Sequence, residues 1–142
     1  MHTPRMTHAA LHVVDIDACI DFYQQCCGMA IVHSRTAGEQ RIVWMAEPGR
    51  ESDFIFVLMN GGQNLELPAS DYRHFGFALD SKVAVDAIAE LGRERDCLVW
   101  PPRDEGFPVA YYCGLRDPNG NFVEFSYGQP LGPGAEQFDR LK

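Results

Sequence analysis

The order βαβββ is predicted twice along this chain of 142 residues. Two segments carry apolar residues at i, i+3, i+4 and i+7, the spacing of one buried helical face: Cys19, Phe22, Tyr23 and Cys26 in the first, and Ala84, Ala87, Ile88 and Leu91 in the second. One strand-like segment precedes each helix and three follow it, with alternating or apolar residues. The pattern predicts an α+β fold made of two βαβββ modules.

Turn and capping residues set the boundaries of these elements. Strands are predicted at 7–14, 30–36, 40–46 and 53–59, and again at 73–79, 97–100, 109–115 and 121–127. Helix starts are assigned to capping side chains and helix ends to glycines: Asp15 or Asp17 with Gly28, and Asp80 or Ser81 with Gly92. The sequence at 117–120, Asp-Pro-Asn-Gly, predicts a tight turn between the last two strands.

The two halves also share a weak internal repeat. Aligning Asp15 with Asp80 matches two further pairs, Ile20 with Val85 and Asp21 with Asp86. Each half opens its first strand with a histidine, His8 or His74. We therefore predict one domain over 1–142, built from modules 7–60 and 71–127. A linker at 60–70 joins them, and a Gly/Pro-rich tail occupies 128–142.

Charge and composition exclude several classes of function. The formal net charge is −8, whereas binding of nucleic-acid phosphates needs clustered Lys and Arg. No apolar run approaches the roughly 18 residues of a membrane span, and the N-terminus lacks the apolar stretch of a signal peptide. The five cysteines are odd in number and show no CxxC spacing, which is not typical of a disulfide framework. A cytoplasmic protein with a small-molecule partner, and no nucleic acid or membrane partner, is expected.

Side chains alternate between the two faces of a strand, and this alternation puts three candidate ligands on the less apolar face of their strands. In the first, fifth and last predicted strands a bulky apolar face opposes a smaller or more polar one, and the apolar face is expected to pack on the helices. His8, His74 and Glu124 all fall on the other face, which would line a cleft. A single strand histidine is more often a hydrogen-bonded structural residue, and a single glutamate a cleft-edge carboxylate. The metal interpretation depends on all three together.

Three motifs carry a resemblance to a known family. They are His-Ala-Ala-Leu-His-Val-Val-Asp at 8–15 with Asp-Phe-Tyr at 21–23, Asp-Tyr-Arg-His-Phe-Gly-Phe at 71–77, and Arg-Asp-Pro-Asn-Gly-Asn-Phe-Val-Glu at 116–124. In order and spacing they resemble the glyoxalase/bleomycin-resistance/extradiol-dioxygenase superfamily, also called vicinal oxygen chelate, over roughly residues 7–127. The resemblance implies two modules that form a half-open, cleft-bearing mixed sheet.

The resemblance also implies a metal site. His8, His74 and Glu124 match the family's ligands on the first, fifth and eighth strands, for one divalent ion of Fe, Mn, Ni, Co or Zn. Glyoxalase I enzymes have a fourth ligand, whose position falls near Phe56 here, so that Glu66 or water would have to replace it. A homodimer is expected, with His8 of one subunit meeting His74 and Glu124 of the other, although pairing within one chain stays open.

The expected activity is that of a metalloenzyme that chelates vicinal oxygens of a small substrate. Its chemistry would be that of a glyoxalase-like lyase or isomerase, or of an extradiol dioxygenase. Candidate catalytic residues are Glu124, Tyr112 as a donor of a proton or hydrogen bond, and His12 as a substrate contact. Tyr112 is alternatively a packed side chain, and His12 a solvated one. The alternative function is metal-independent binding of a drug or other small molecule, as in bleomycin-resistance proteins.

Overall fold

The structure is a computed structural model that describes residues 2–138. The chain forms two compact units that divide between Leu65 and Glu66, inside the predicted linker at 60–70. The end of the predicted tail, 139–142, lies outside the described residues. No helix among residues 2–138 is long and apolar enough to cross a membrane.

The first unit contains one four-stranded sheet and one helix. Its elements, in chain order, are β1 (His8–Val13), α1 (Ile16–Cys27), β2 (Ala30–Ala37), β3 (Gln40–Ala46) and β4 (Ile55–Asn60). The strand order is β1-β4-β3-β2. β1 and β4 are parallel, and the other two pairs are antiparallel.

The second unit repeats this topology. Its elements are β5 (Phe75–Ala78), α2 (Lys82–Glu94), β6 (Leu98–Asp104), β7 (Tyr111–Arg116) and β8 (Phe122–Tyr127), followed by a 3₁₀ turn at Ala135–Phe138. The strand order β5-β8-β7-β6 again joins the first and last strands in parallel. The predicted α+β fold of two βαβββ modules is confirmed.

Helix α1 follows the sequence prediction closely. The Asp15 carboxylate accepts a hydrogen bond from the backbone N–H of Ala18 at 3.0 Å, which satisfies one of the free donors of the first turn. Gly28 ends the helix with φ of 65°, a left-handed conformation that costs glycine little. All four residues predicted for the inner face, Cys19, Phe22, Tyr23 and Cys26, are buried.

Helix α2 differs from the prediction in its face and its end. Val85, Ala89 and Gly92 are buried, whereas Ala87, predicted for the inner face, is exposed. Gly92 lies inside the helix, which continues to Glu94. A Cβ atom added at Gly92 would lie 3.0 Å from the side chain of Leu115, so this glycine lets the helix approach β7 closely.

Strand β6 is longer than predicted and contains Pro101 and Pro102. Proline removes a backbone donor, which in a sequence argues against a strand. β6 is the outer strand of its sheet and is paired on one side only, which is where proline is tolerated in sheets.

The internal repeat has a spacing of 66 residues. Asp15 and Ser81 cap the two helices, and Ser81 accepts from the backbone N–H of Ala84 at 3.1 Å. The buried helix positions Cys19, Tyr23 and Cys26 correspond at this spacing to Val85, Ala89 and Gly92, and His8 corresponds to His74. The alignment of Asp15 with Asp80 is therefore wrong by one residue.

The hairpin between β7 and β8 is held by one carboxylate. Asp117 accepts hydrogen bonds from the backbone N–H groups of Asn119 and Asn121 at 2.8 and 2.9 Å. Gly120 takes the left-handed conformation, with φ of 93°. The predicted turn at 117–120 is confirmed, and in the hairpin that it closes Gly114 lies opposite Glu124.

Candidate functional site

The second unit brings His74 and Glu124 together. Glu124 lies in β8 opposite Gly76 of the parallel strand β5, and His74 lies just before β5 rather than inside a strand as predicted. The Nε2 atom of His74 is 3.7 Å from the Oε2 atom of Glu124. Two of the three predicted ligands are therefore neighbours in this unit.

The backbone fixes the orientation of the His74 ring. Its Nδ1 atom lies 2.5 Å from the carbonyl oxygen of Tyr72. Because a carbonyl only accepts, Nδ1 carries a proton and donates it. In the neutral imidazole the lone pair is then on Nε2, the atom that faces Glu124. Metal-bound histidines are commonly oriented by such a bond from the other ring nitrogen.

Trp100 forms an aromatic wall beside His74. The two rings meet edge to face, with centroids 5.7 Å apart and planes at 87°. The indole Nε1 donates to the carbonyl of Ala69 at 3.0 Å. A Cβ atom added at Gly114 would lie 2.2 Å from the indole, so only glycine leaves room for it. From the sequence, Trp100 is a candidate for an apolar wall, with core packing as the alternative. Its contact with His74 and its position over Gly114 are not predictable from local sequence, because they depend on strand pairing.

Burial raises the pKa of the Glu124 carboxyl, since desolvation disfavours its charged form. A positive charge on His74 and a hydrogen bond from Gln129 act in the opposite direction. The amide of Gln129 donates to the Val109 carbonyl at 2.8 Å and reaches Glu124 Oε2 at 3.4 Å. Gln129 belongs to the Gly/Pro-rich tail, and no pattern in that irregular segment indicates its role.

Tyr112 lies on the same face as Glu124. It is paired with Ser126, two residues from Glu124 along β8, which confirms the predicted parity. Burial, and next the negative charge of Glu105, raise the pKa of the Tyr112 phenol. A phenol is protonated at neutral pH already at its ordinary pKa of about 10, so Tyr112 is a hydrogen-bond donor, and Glu105 is one side chain that it can donate to.

The first unit carries His8 and His12 on the exposed face of β1. The Nδ1 atom of His8 lies 2.9 Å from the hydroxyl oxygen of Thr7. A cavity of about 460 Å³ opens on this face of the sheet. Its lining is mostly apolar, with contributions from Ile42, Trp44, Ile55, Val57 and Met59, together with His8 of β1 and Arg35 of β2.

The position that matches Glu124 in this unit is Val57, not Phe56. Val57 is paired with Ala10 of β1 as Glu124 is paired with Gly76 of β5. Ala10 and Gly76 are 66 residues apart, whereas Val57 and Glu124 are 67 apart, so the match follows the strand pairing rather than the sequence spacing. Phe56 points into the core, where its ring lies 4.8 Å from that of Tyr23. Counting back from His74 across the linker misplaced this position, because the pairing of β1 with β4 sets it.

Among residues 2–138, no group of three or more His, Cys, Asp and Glu side chains is placed to hold a metal ion. The described chain supplies the pair His74 and Glu124, whereas His8 and His12 belong to the first unit and Tyr112 to the second. Glu66 is exposed and directly follows the division between the units.

The sequence and the fold of the chain can be compared with those of known proteins. An uncharacterised protein of Pseudomonas aeruginosa, PA2024, is 62% identical over 134 residues, which cover 94% of this chain and 96% of that protein. A FosX fosfomycin resistance protein variant from Listeria monocytogenes matches with a TM-score of 0.71 at 17% identity. The match covers 97% of this chain and all of that one.

Glyoxalase I from Zea mays matches with a TM-score of 0.69 at 22% identity, over 85% of this chain. The chain spans only 43% of the length of that enzyme. The family model described as Glyoxalase/Bleomycin resistance protein/Dioxygenase superfamily matches residues 5–125. With this match over most of its length, the chain belongs to the glyoxalase/bleomycin resistance protein/dioxygenase superfamily.

Proposed function

We propose that this protein is a divalent-metal-dependent enzyme that chelates vicinal oxygens of a small substrate, with His74 and Glu124 as two of its metal ligands. One observation carries the proposal. His74 is held through Nδ1 by the Tyr72 carbonyl, and its Nε2 atom faces the Glu124 carboxylate at 3.7 Å.

A gap of 3.7 Å is too long for a hydrogen bond. When His74 is neutral, both facing atoms are lone-pair bearers and repel each other, so a cation between them stabilises the arrangement. Imidazole nitrogen and carboxylate oxygen together suit Fe, Mn, Ni, Co and Zn. The alternative is an ion pair between a doubly protonated His74 and Glu124, which needs no metal.

A metal ion bound by a structural relative supports the metal site over the ion pair. The matching FosX variant is described as complexed with Mn(II) and a dihydroxypropylphosphonic acid. A divalent ion at this site would supply Lewis-acid polarisation of substrate oxygens. Both reaction classes, glyoxalase-like lyase or isomerase chemistry and extradiol-dioxygenase-like chemistry, use that property.

Three side chains of the chain have the proposed catalytic roles. Tyr112, a phenol protonated at neutral pH on the same face as Glu124, donates a hydrogen bond or proton to a substrate oxygen there. Glu124 accepts a proton when it is not fully engaged as a ligand. His12, exposed on β1, contacts the substrate.

His8 is the proposed third ligand. Because the described residues of one chain hold no group of three donors, we propose that a second copy of the chain supplies His8 in a homodimer. Its Nδ1 atom is engaged by Thr7, so that Nε2 is the atom available to a metal. Sedimentation at micromolar concentration would give a dimer, and a clean monomer would contradict this part of the proposal.

The metal proposal is tested on protein purified without a histidine tag. Elemental analysis is expected to give about one divalent ion per chain. Competition titration is expected to show metal affinity at least about 100-fold lower in His74→Ala, Glu124→Ala and His8→Ala, because a lost ligand costs more than the roughly 10–100-fold of a lost supporting hydrogen bond. The exposed His2→Ala is the matched control, and circular dichroism checks folding. Wild-type affinity in both His74→Ala and Glu124→Ala would refute the ligand set.

Mixing two variants tests whether the site is shared. In a heterodimer of His8→Ala with Glu124→Ala, one shared site has lost two ligands and the other has all three. Metal binding is therefore restored on mixing if each site takes His8 from a second copy. If all ligands come from one chain, mixing restores nothing.

A metal-independent binding protein is the second candidate. It is favoured by the absence of a three-donor group within residues 2–138 and by the largely apolar cavity of the first unit. Protein without stoichiometric metal, in which added ions raise neither the melting temperature nor any activity, would put this candidate first.

A further inference from the structure

We propose that the cavity of the first unit binds an elongated organic anion, with Arg35 holding its carboxylate and the apolar floor of the sheet holding its body. The proposal rests on the proposed function in one respect: it takes this anion to be the substrate of the enzyme. The binding itself involves the first unit alone and needs no metal.

The sheet register places the cavity residues on one face. Arg35 of β2 is paired with Ile42 of β3, which is paired in turn with Met59 of β4. The neighbouring row contains Trp44 and Val57. The row from Arg35 to Met59 thus starts at a cation and continues over apolar side chains that line the cavity.

The charge of Arg35 has no carboxylate partner within residues 2–138. Its Nη1 atom lies 3.0 Å from Nε2 of His33, and its guanidinium carbon lies 5.8 Å from the centroid of the Trp44 ring. A neutral imidazole nitrogen and an indole face orient the guanidinium without neutralising it. Arg41, in the adjacent strand, is by contrast paired with Asp17 at 2.5 Å.

The lining of the cavity selects for an anion with an apolar body. It contains no Asp or Glu side chain, so an anionic group meets Arg35 without a competing negative charge. A guanidinium binds a carboxylate with two parallel hydrogen bonds, which a neutral amide cannot match. A volume of about 460 Å³ is in the usual range for small-molecule sites.

The positions of the outer strands determine the length of this ligand. Arg35 is in β2 and His8 is in β1, with β3 and β4 between them. Three strand spacings correspond to roughly 14 Å, and the row of Arg35, Ile42 and Met59 meets β1 at His12. His8 is four residues away along β1, so the span from Arg35 to His8 is longer than that row. A ligand that touches Arg35 and also reaches His8 therefore has its carboxylate at one end and its reacting oxygens at the other.

The test uses metal-free full-length protein in chelator and matched probes. Phenylacetate, 4-phenylbutyrate and 1-naphthylacetate are each compared with the corresponding primary amide, by calorimetry and by amide chemical-shift changes in ¹⁵N-labelled protein. We expect at least one carboxylate to bind about 10-fold or more tighter than its amide, because a charge-assisted pair is lost in the amide. The shifts are expected at Ile42, Trp44 and Val57.

Variants separate the role of Arg35 from other effects. Arg35→Met keeps an apolar stem and is expected to abolish the preference for the carboxylate, and Arg35→Lys to retain part of it. Arg41→Met, which removes a cation of the same sheet, is the control and should leave the preference unchanged. Equal affinity for every carboxylate and its amide, or a preference that survives in Arg35→Met, would overturn the proposal.

The same experiments also distinguish ligand binding from contact between copies of the chain, and this proposal from the metal proposal. If no probe binds and the cavity signals change only with protein concentration, the face is a contact between copies and the proposal is wrong. Glu124→Gln protein is expected to keep the carboxylate preference while losing metal. Failure of the metal proposal therefore leaves this one standing, and the reverse also holds.

Discussion

The two units share one topology and differ in the side chains on the face of the sheet that lies away from the helix. One row of paired residues in each unit shows the difference: Ala10, Val57, Trp44 and His33 in the first, and Gly76, Glu124, Gly114 and Trp100 in the second. In the first unit the tryptophan is on the third strand of the row. In the second it is one strand further out and lies over a glycine.

These exchanges change the chemistry without changing the backbone pattern. A valine beside a tryptophan forms the floor of an apolar cavity. A glutamate beside a glycine, with an indole over that glycine, forms a half-enclosed carboxylate that faces a histidine. β4 pairs with β1 in the same register as β8 pairs with β5. The residue at one equivalent position, Val57 or Glu124, therefore decides whether that face holds an apolar cavity or a candidate ligand.

Substitutions at Phe56 and Val57 test that register and are expected to change the free energy of unfolding the most. Phe56→Glu puts a charge into the core against Tyr23 and is expected to cost about 4 kcal/mol or more of the free energy of unfolding. Val57 is also buried, at 8% exposure, but it lines the cavity. A glutamate there can reach solvent through the cavity, so Val57→Glu is expected to cost about half of that or less. Chemical denaturation measures both. Equal losses would show that Val57 is not the counterpart of Glu124.

The same Val57→Glu change, made together with Glu124→Ala, tests function at the equivalent position. It places a carboxylate near His8, as Glu124 lies near His74. We expect measurable divalent-metal binding to return relative to Glu124→Ala alone, in competition titration. No gain in a folded double variant would break the functional side of the comparison.

The next effect concerns the glycine beneath Trp100. Gly114→Ala is expected to cost about 2 kcal/mol, because its methyl group would overlap the indole and forces repacking. Gly76→Ala, in the same sheet, meets Glu124 Oε2 at 3.7 Å, an ordinary contact, and serves as the control. Thermal or urea unfolding distinguishes them, and similar small losses in both would mean that the indole lies elsewhere.

A smaller effect tests the repeat spacing of 66 residues. Asp15→Ala and Ser81→Ala are each expected to cost about 1 kcal/mol, since each removes a helix N-cap. Asp80→Ala is expected to change stability by less than about 0.5 kcal/mol. A larger loss of stability for Asp80→Ala than for Ser81→Ala would favour the alignment of Asp15 with Asp80, a spacing of 65 residues.

The smallest effect is a pH dependence of stability in chelator. The folded-state pKa of Glu124 is raised by burial above its ordinary 4.5. The folded state therefore holds the proton more tightly than the unfolded state, and stability falls as pH rises from about 4.5 through the folded pKa. Wild-type protein should lose stability relative to Glu124→Gln across that window, whereas below it their difference is constant.

Glu51 of the first unit provides the opposite sign as a control. Backbone hydrogen bonds, the first from Gly49, lower the pKa of its carboxyl. Its contribution to stability is present above 4.5 and is lost as pH falls through the folded pKa. Glu51→Gln should therefore differ from wild type only above that window. The same slope in both comparisons would contradict these assignments.

Local patterns predicted more of this fold than of its site. The cap at Asp15, the end of α1 at Gly28 and the turn at 117–120 depend on residues close in sequence, and the structure confirms them. The predicted α2 face was correct in part: Ala84, Ile88 and Leu91 are half-buried and Ala87 is exposed. Gly92 was wrongly predicted as the end of the helix, because its burial depends on how closely β7 approaches the helix. Whether Phe56 or Val57 faces the cavity depends on the pairing of two distant strands.

Only part of the candidate site was predicted, because the rest depends on the pairing of distant strands. Parity correctly put Tyr112 on the face of Glu124, and the position of His74 beside Glu124 follows from the pairing of β5 with β8. Trp100 is a candidate for an apolar wall from its sequence, but its contact with His74 was not predicted, since it depends on the pairing of the outer strand β6. Gln129 reaches Glu124 from an irregular segment in which the sequence carries no periodicity.

The Asp117 turn has a consequence for how this protein can change over generations. Side chains of a strand alternate between faces, so adding or deleting one residue in the hairpin would exchange every position of β8 between core and site. Glu124 would then point towards α2, and Phe125 after a deletion, or Val123 after an insertion, would take its place. Point substitutions in the turn are expected to lower stability slightly. A change in its length instead moves Glu124 away from the site in one mutation. Natural variants with an altered turn length are therefore expected to have lost this ligand, even where every other residue is the same.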